Sequence, residues 1–365
     1  MNTAFDAIAV GGSLAGCAFA MTLARAGRRV ALIERTHGAQ PKVCGDFLSA
    51  EAVVLLGRLG LDPSSLGGHA IGTFRMAVGG AVADAPLGMS GLGVSRLLLD
   101  EALLAACADA GVDVLRGQTV EAVDVADDRV RVRAGGTVLQ GGCAALATGK
   151  HNLRGYPRDG GGPTAYKMTF VPGEDARQGL EGVVQLALYD GGYAGACLIE
   201  GGGMTVCWLA NDALMRDSAG RWQDQLAIVS EHSGALADVL RDAEPAFDKP
   251  AAVTALPFGY MRRAEIAAQI YPLGDQLAVI PPLAGDGTSI ALKSGIDAAQ
   301  AVLRGQPAAV FQTGFLRNLK TQFGWASAVQ AVFGNRYGRR AAVGLVGGVP
   351  GIATWLTRRT RLAGV

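Results

Sequence analysis

The sequence predicts an α/β protein in which a Rossmann-like domain carries an inserted β-sheet domain and ends in a helical C-terminal tail. Three observations predict it. A glycine-rich turn joins an apolar strand to a helix within "DAIAVGGSLAGCAFA", alternating runs joined by glycines fill Gly191 to Ala210, and aromatic residues recur at helical spacing beyond Gln306.

Composition sets the outer bounds. The 365 residues, 50% of them hydrophobic, supply a large buried core. The 53 glycines fall in short clusters without a repeat period, which marks turns and close backbone approaches rather than a collagen-like chain. The six cysteines form no CxxC pair and the four histidines lack zinc-ligand spacing, so no metal site is expected. No basic n-region precedes a cleavable apolar stretch, and the expectation is a cytoplasmic protein with free thiols. A net charge of +1 argues against a nucleic-acid partner.

The elements follow in order. Ala7 to Val10 is a short apolar strand, Gly11 and Gly12 break it, and Leu14 to Gly27 repeats apolar residues with helical period. Gly11, Gly12, Ser13, Ala15 and Gly16 thus form a tight turn and helix start of the kind that offers N–H groups to a dinucleotide pyrophosphate. Ser13 stands where that motif wants its middle glycine, and its hydroxymethyl group is small enough to sit beside a phosphate and donate to it. "RRVALIER" is a buried strand ending at Glu34 and Arg35, about twenty residues after the turn, where an acidic side chain accepts from an adenosine ribose.

"FRMAVGGAVADAPL" reads as a hairpin, and Ser95 is placed to cap a helix that begins at Arg96. Alternating strands then run through "PTAYKMTFVPG" and Gly191 to Ala210, with two helices in "RWQDQLAIVSEHSGALADVLRDAEPAF". Tyr271 to Ala299 reads as a short apolar segment, a Gly274-Asp275 turn, an apolar strand, a Pro281-Pro282 loop with Gly285 and Gly287, and a helix.

At this point the chain resembles the para-hydroxybenzoate-hydroxylase-like flavoproteins, which include aromatic hydroxylases and geranylgeranyl reductases. The resemblance rests on Gly274, Asp275, Pro282, Gly285, Asp286 and Gly287 in matching order, on Cys44-Gly45 in "VCGDFLSAEAVVLLGRLGL", and on Arg96 in "GVSRLLLDEALLAACADAGVDVL". It implies FAD as cofactor, with NADPH or NADH as electron donor. It further implies that Asp275 holds the ribityl chain, that Cys44-Gly45 passes close to the flavin, and that Arg96 sits beside the cofactor. The backbone of Pro282, Gly285 and Gly287 would shape the flavin pocket, with a helix start that stabilises negative charge on the reduced ring. Arg96 also has a plainer reading, as a solvated residue of the first helical turn.

Three departures qualify the resemblance. The hydroxylases' Asp-Gly segment is replaced by Thr148-Gly149 in "CAALATGKHNLRG", which still implies closure over the cofactor. Of the reductases' Tyr-x-Trp-x-Phe-Pro motif only Tyr193 matches, leaving it as a substrate-binding candidate or a packed sheet aromatic. The Trp-x-Trp-x-Ile-Pro segment of halogenase relatives is not found, so that branch is not expected. The implied activity is FAD-dependent monooxygenation of an aromatic or polyketide-like hydrophobic substrate, such as an alkylated phenol, through a flavin C4a-hydroperoxide. Its rivals are a flavin-dependent reductase of an isoprenoid or polyketide alkene, and a non-catalytic FAD-binding module.

The expected FAD-binding domain comprises 1–75, 93–155 and 266–305, the substrate domain 76–92 and 156–265, and the tail 306–365. Nine basic residues and no acidic one follow Asp297, so the rest of the chain is net acidic. Seventeen uncharged residues lie between Arg339-Arg340 and Arg358-Arg359, but glycines and Pro350 interrupt them, short of a membrane span. Two readings of the tail stay open: a packed helix pair, or peripheral contact with an anionic membrane that admits a lipid-like substrate.

Overall fold

The computed structural model describes residues 4–158, 160–263, 266–349 and 351–362; Pro350 lies outside them. Two sheets organise the chain. In the first, Asp113–Arg116, Val30–Glu34, Ala4–Val10 and Thr137–Leu146 lie side by side in that order and parallel, and Ile270–Pro272 adds to the end of the last. The register sets Ala7 opposite Val30 on one side and Cys143 on the other.

Alternation along the first strand explains how both faces are covered. Ala7 and Ala9 face the helices Leu14–Arg25, Arg96–Asp109 and Gly287–Leu303, and their small side chains let those helices approach closely. Ile8 and Val10 enter a second core with Val123, Val130 and Val132 of the antiparallel strands Val120–Ala126 and Arg129–Ala134. The result is a Rossmann-like domain.

The second sheet has nine strands, ordered Glu244–Pro245, Thr164–Val171, Met204–Ala210, Gly192–Leu198, Val183–Tyr189, His69–Val78, Ala81–Gly93 and Phe47–Leu48, with Ala251–Val253 also on Thr164–Val171. It is antiparallel except where Val183–Tyr189 meets His69–Val78. Both expected hairpins form, with Arg75 opposite Asp84 and Ala194 opposite Trp208. The sheet draws Phe47–Leu48 and His69–Val78 from the stretch that the sequence allots to the first domain, so the chain crosses between layers before residue 75.

One expected strand is absent. Leu277 to Ile280 makes a single bridge, from Ala278 to Met261, because the Gly274–Gln276 turn precedes it and Pro281-Pro282, which lack N–H donors, follow at once.

The tail forms helices Ala308–Gly334, Arg336–Gly348 and Ile352–Thr360. Phe311, Phe315, Leu319 and Phe323 recur every fourth residue and join the first core. Val343, Val346 and Ala353 cover the second sheet at Met76, Ala83 and Ala85. Among the described residues no helix is long and apolar enough to cross a membrane.

Candidate functional site

The N-terminal turn is held bare by sterics. Gly11 has φ +113°, and a Cβ there would lie 2.4 Å from the Ala147 carbonyl oxygen; at Gly16 it would lie 1.9 Å from that of Gly11. Gly12 N–H donates to Glu34 Oε2 at 2.9 Å, while Oε1 accepts from the N–H and hydroxyl of Thr36 at 3.0 and 2.9 Å. Burial pushes the Glu34 carboxyl up, but the Thr36 N–H, the Lys42 charge and the Gly12 N–H outweigh it and hold it below the usual range. Oε2 keeps acceptor capacity for a further donor such as a ribose hydroxyl.

Ser13 corrects an expectation. Its hydroxyl proton is engaged within the protein: it donates to Asp100 at 3.2 Å and accepts from Arg96, because the buried Asp100 carboxylate needs donors. Ser13 therefore caps no N–H of the helix it begins, and that positive end stays available to an anion. Ala15, buried in the first helical turn, lies beside the Gly274-Asp275 turn: a Cβ at Gly274 would lie 3.4 Å from the Ala15 Cβ.

Arg96 is largely shielded rather than solvated, its side chain 11% exposed. It pairs with Asp100 at 2.9 Å, and Lys42 reaches the same carboxylate at 2.7 Å. Burial opposes the Asp100 charge, yet Arg96 and Lys42 hold the carboxyl below its usual range. Nearby, Lys150 donates to the Val43 carbonyl at 3.0 Å and stands 3.6 Å from Asp275, while Arg35 lies 2.9 Å from His151 Nε2. The His151 imidazole is held below its usual pKa, first by burial and then by Arg35, Arg158, Lys150 and Lys42. Arg35, Lys42, Lys150 and Arg158 thus gather positive charge beside the glycine turn, the sign that favours an anion.

Cys44-Gly45 leads into the seam between the sheets. The Gly45 carbonyl accepts from the Cys197 thiol at 3.4 Å. Asp46, with φ +52°, forms an ion pair with Lys167 at 2.5 Å, fully buried on both sides, and accepts from the Thr205 hydroxyl at 2.6 Å and the Arg96 N–H at 3.1 Å. Burial pushes the Asp46 carboxyl up against the pull of Lys167.

The second turn is tied to the first site through Gln276. Its amide donates to the carbonyls of Gly149 and His151, both at 2.8 Å, and the Thr148 hydroxyl donates to the latter at 2.8 Å. Gly274, at φ +52°, donates its N–H to Ser294 at 2.9 Å, which leaves Asp275 at the edge of the cleft facing Lys150. Gly285 has φ +61°, and its carbonyl accepts from Arg361 at 2.8 Å. Asp286, wholly buried ahead of the helix that starts at Gly287, accepts from Ser49 at 3.2 Å, Gln322 at 2.6 Å and the Leu362 N–H at 2.8 Å.

Beside this turn lies a cavity of about 410 Å³, lined by Pro282, Leu283, Tyr193, Leu209, Phe258 and Phe333 among others. Burial pushes the Tyr193 phenol well up. The structure thus brings Tyr193 and Pro282 to one cavity, ties Glu34 and Arg96 to the glycine turn through Gly12 and Ser13, and ties Gly149 and Lys150 to the Gly274–Gln276 turn through Gln276 and Asp275.

Lys42, Lys150, Asp100, Asp46, Lys167 and Arg361 were missed by the sequence reading. Asp100 was legible as a carboxylate four residues after Arg96 on a helix, and Lys42 and Lys150 adjoin motifs already singled out. Arg361 carries no local signal.

No family model matches the chain. A stretch of 160 residues is 35% identical to a menaquinone reductase of Mycolicibacterium smegmatis, covering 40% of this chain and 37% of that protein. The match therefore spans little more than a third of that curated relative. Among solved structures, the halogenase PltM superposes with a TM-score of 0.78 at 13% identity over 97% of this chain and 82% of its own. The flavin-dependent brominase Bmp2 gives 0.77 at 17% identity, over 95% and 94% of the two chains. The fold is that of the flavin-dependent halogenases. A third, the myxobacterial chondrochloren halogenase CndH, gives 0.78 at 17% identity over 98% and 90%. All three superpositions extend over nearly the whole of this chain.

Proposed function

We propose that the chain is an FAD-dependent oxidoreductase acting on a hydrophobic substrate, and that its reaction is reduction of an isoprenoid or polyketide alkene. The observation that carries this reading is a bare glycine turn ringed by cations, tied through Gln276 and Gly149 to the Gly274-Asp275 turn, together with a largely apolar cavity beside Pro282. The residues fit FAD. Gly11 and Gly16 clear the turn, the helix start with Arg35, Lys42 and Lys150 matches a diphosphate, Glu34 Oε2 matches a ribose hydroxyl, and Asp275 stands at the second turn for the ribityl chain.

When bound, FAD supplies the hydride or electrons, with NADPH or NADH as the proposed donor. The chain's own side chains do the rest: Leu209, Leu283, Phe258 and Phe333 keep water from the substrate. Tyr193, pushed up by burial, retains its proton on Oη at neutral pH. Asp212 is the carboxylate in the lining.

Reduction is favoured by the 35% identity to a menaquinone reductase and by the apolar character of the cavity. A second reading, hydroxylation of an aromatic ring, draws support from the aromatic residues Tyr193, Phe258 and Phe333 and from a PltM structure that holds phloroglucinol and FAD. Halogenation is not proposed, since the Trp-x-Trp-x-Ile-Pro segment of halogenase relatives is not found in the sequence.

The test is turnover of the FAD-loaded protein with an isoprenoid quinone and either nicotinamide, once without oxygen and once in air with oxygen uptake recorded. A product with one side-chain double bond fewer, heavier by two hydrogens, and no substrate-dependent oxygen uptake in air are expected. Substrate-dependent oxygen uptake with an oxygenated product would establish hydroxylation instead.

A further inference from the structure

The tail leaves one face uncovered. Six of the large hydrophobic residues exposed among the described residues, Val310, Val332, Tyr337, Leu345, Val349 and Trp355, fall in the C-terminal helices and their connection. Tyr337, Ala341 and Leu345 recur every fourth residue along Arg336–Gly348 and are exposed, while Arg339, Val343 and Val346 of the same helix are buried. Isolated exposed apolar side chains are ordinary; a stripe of them is not.

Arginines border the stripe. Arg336, Arg340, Arg358 and Arg359 are exposed, and the Arg359 guanidinium lies 5.6 Å from the Trp355 ring centre. Among the described residues the tail's ion pairs are those of Arg339 with Asp190 and Arg361 with Asp286, so these four arginines carry no carboxylate partner. Beyond Asp297 the sequence holds no acidic residue to neutralise them. The cavity adjoins the same region: Gln330, Phe333 and Gly334 wall it, while Val332 in that turn is exposed.

We propose that the face formed by Arg336–Gly348 and Ile352–Thr360 docks on an anionic lipid surface. Tyr337, Leu345 and Trp355 enter the apolar layer, and the four arginines meet the phosphate headgroups. Charge decides the occupant. A second copy meeting this face symmetrically would bring four unpaired arginines from each chain together without a carboxylate, whereas anionic headgroups neutralise them. Docking sets the Phe333 wall of the cavity next to lipid, a route for a substrate too apolar to cross water.

The experiment is co-sedimentation of the full chain with phosphatidylcholine vesicles and with vesicles containing phosphatidylglycerol. Binding to the second alone, weakened by salt, is expected. Arg340→Glu/Arg358→Glu and Leu345→Ser/Trp355→Ser each lower the affinity, the charge pair by about fivefold or more per arginine, with thermal unfolding midpoints near that of the parent. Absence of binding to anionic vesicles, or equal binding by the charge-reversed variant, overturns the proposal. So does a concentration-dependent dimer that Leu345→Ser dissolves, which would assign the face to a second copy.

Discussion

Asp46 and Lys167 set the sharpest energetic test among single residues. Their pair is sealed at the seam between the sheets, so removing one partner strands a buried charge at a cost of about 3–5 kcal/mol. Lys167→Met is expected to lower the unfolding free energy measured by urea titration by that amount, and Asp46→Asn/Lys167→Met to recover most of it, since asparagine tolerates the φ of +52°. Asp100 and Glu34 give a pH test. Both carboxyls are held below their usual range, so their contribution is complete above the unfolded values near about 4 and is lost as pH falls through the lower folded values. Urea midpoints measured downward from neutral pH should fall steeply below about pH 4. Asp100→Asn should start lower and fall less. Glycines were legible at this scale because a missing Cβ leaves a mark in the sequence; partners such as Lys167 were not, because a lysine buried in a strand reads like any other.

Two helices carry the site's geometry. Gly287–Leu303 crosses Leu14–Arg25 so closely that a Cβ at Gly295 would lie 2.3 Å from the Ala15 carbonyl oxygen and 2.9 Å from the Ala18 Cβ. Gly295→Ala is expected to destabilise by about 1–3 kcal/mol and to weaken cofactor binding as well, because it parts the turn at Gly11–Gly16 from the turn at Gly274–Asp275. Calorimetry and flavin titration on one preparation check both. Hairpins and helices could be read from periodicity, which is local. The missing strand at Leu277 to Ile280 could not, because a strand needs a neighbour to pair with and the apolar run says nothing of one.

At the level of the whole molecule, the fold places a glycine turn ringed by cations in one layer and a largely apolar cavity against the other. Both layers and the helical tail were legible as a class. Their assembly was not: the contact of Leu362 with Asp286 joins residues far apart in sequence, and only the folded chain shows the tail closing on the second turn. Phe333 belongs to that tail, so Phe333→Ala should raise KM for an apolar substrate by about tenfold while leaving flavin affinity unchanged.

The central claim is that the cleft around Gly11–Gly16 holds FAD, and titration of the apoprotein with FAD, followed by flavin fluorescence, tests it most directly. The wild-type chain should bind one equivalent. Lys42→Ala/Lys150→Ala should weaken binding by about tenfold or more, with a reduced salt dependence. Gly16→Val should abolish it. A folded wild-type chain that takes up no FAD, or a Lys42→Ala/Lys150→Ala chain that binds as tightly as the parent, would contradict the account.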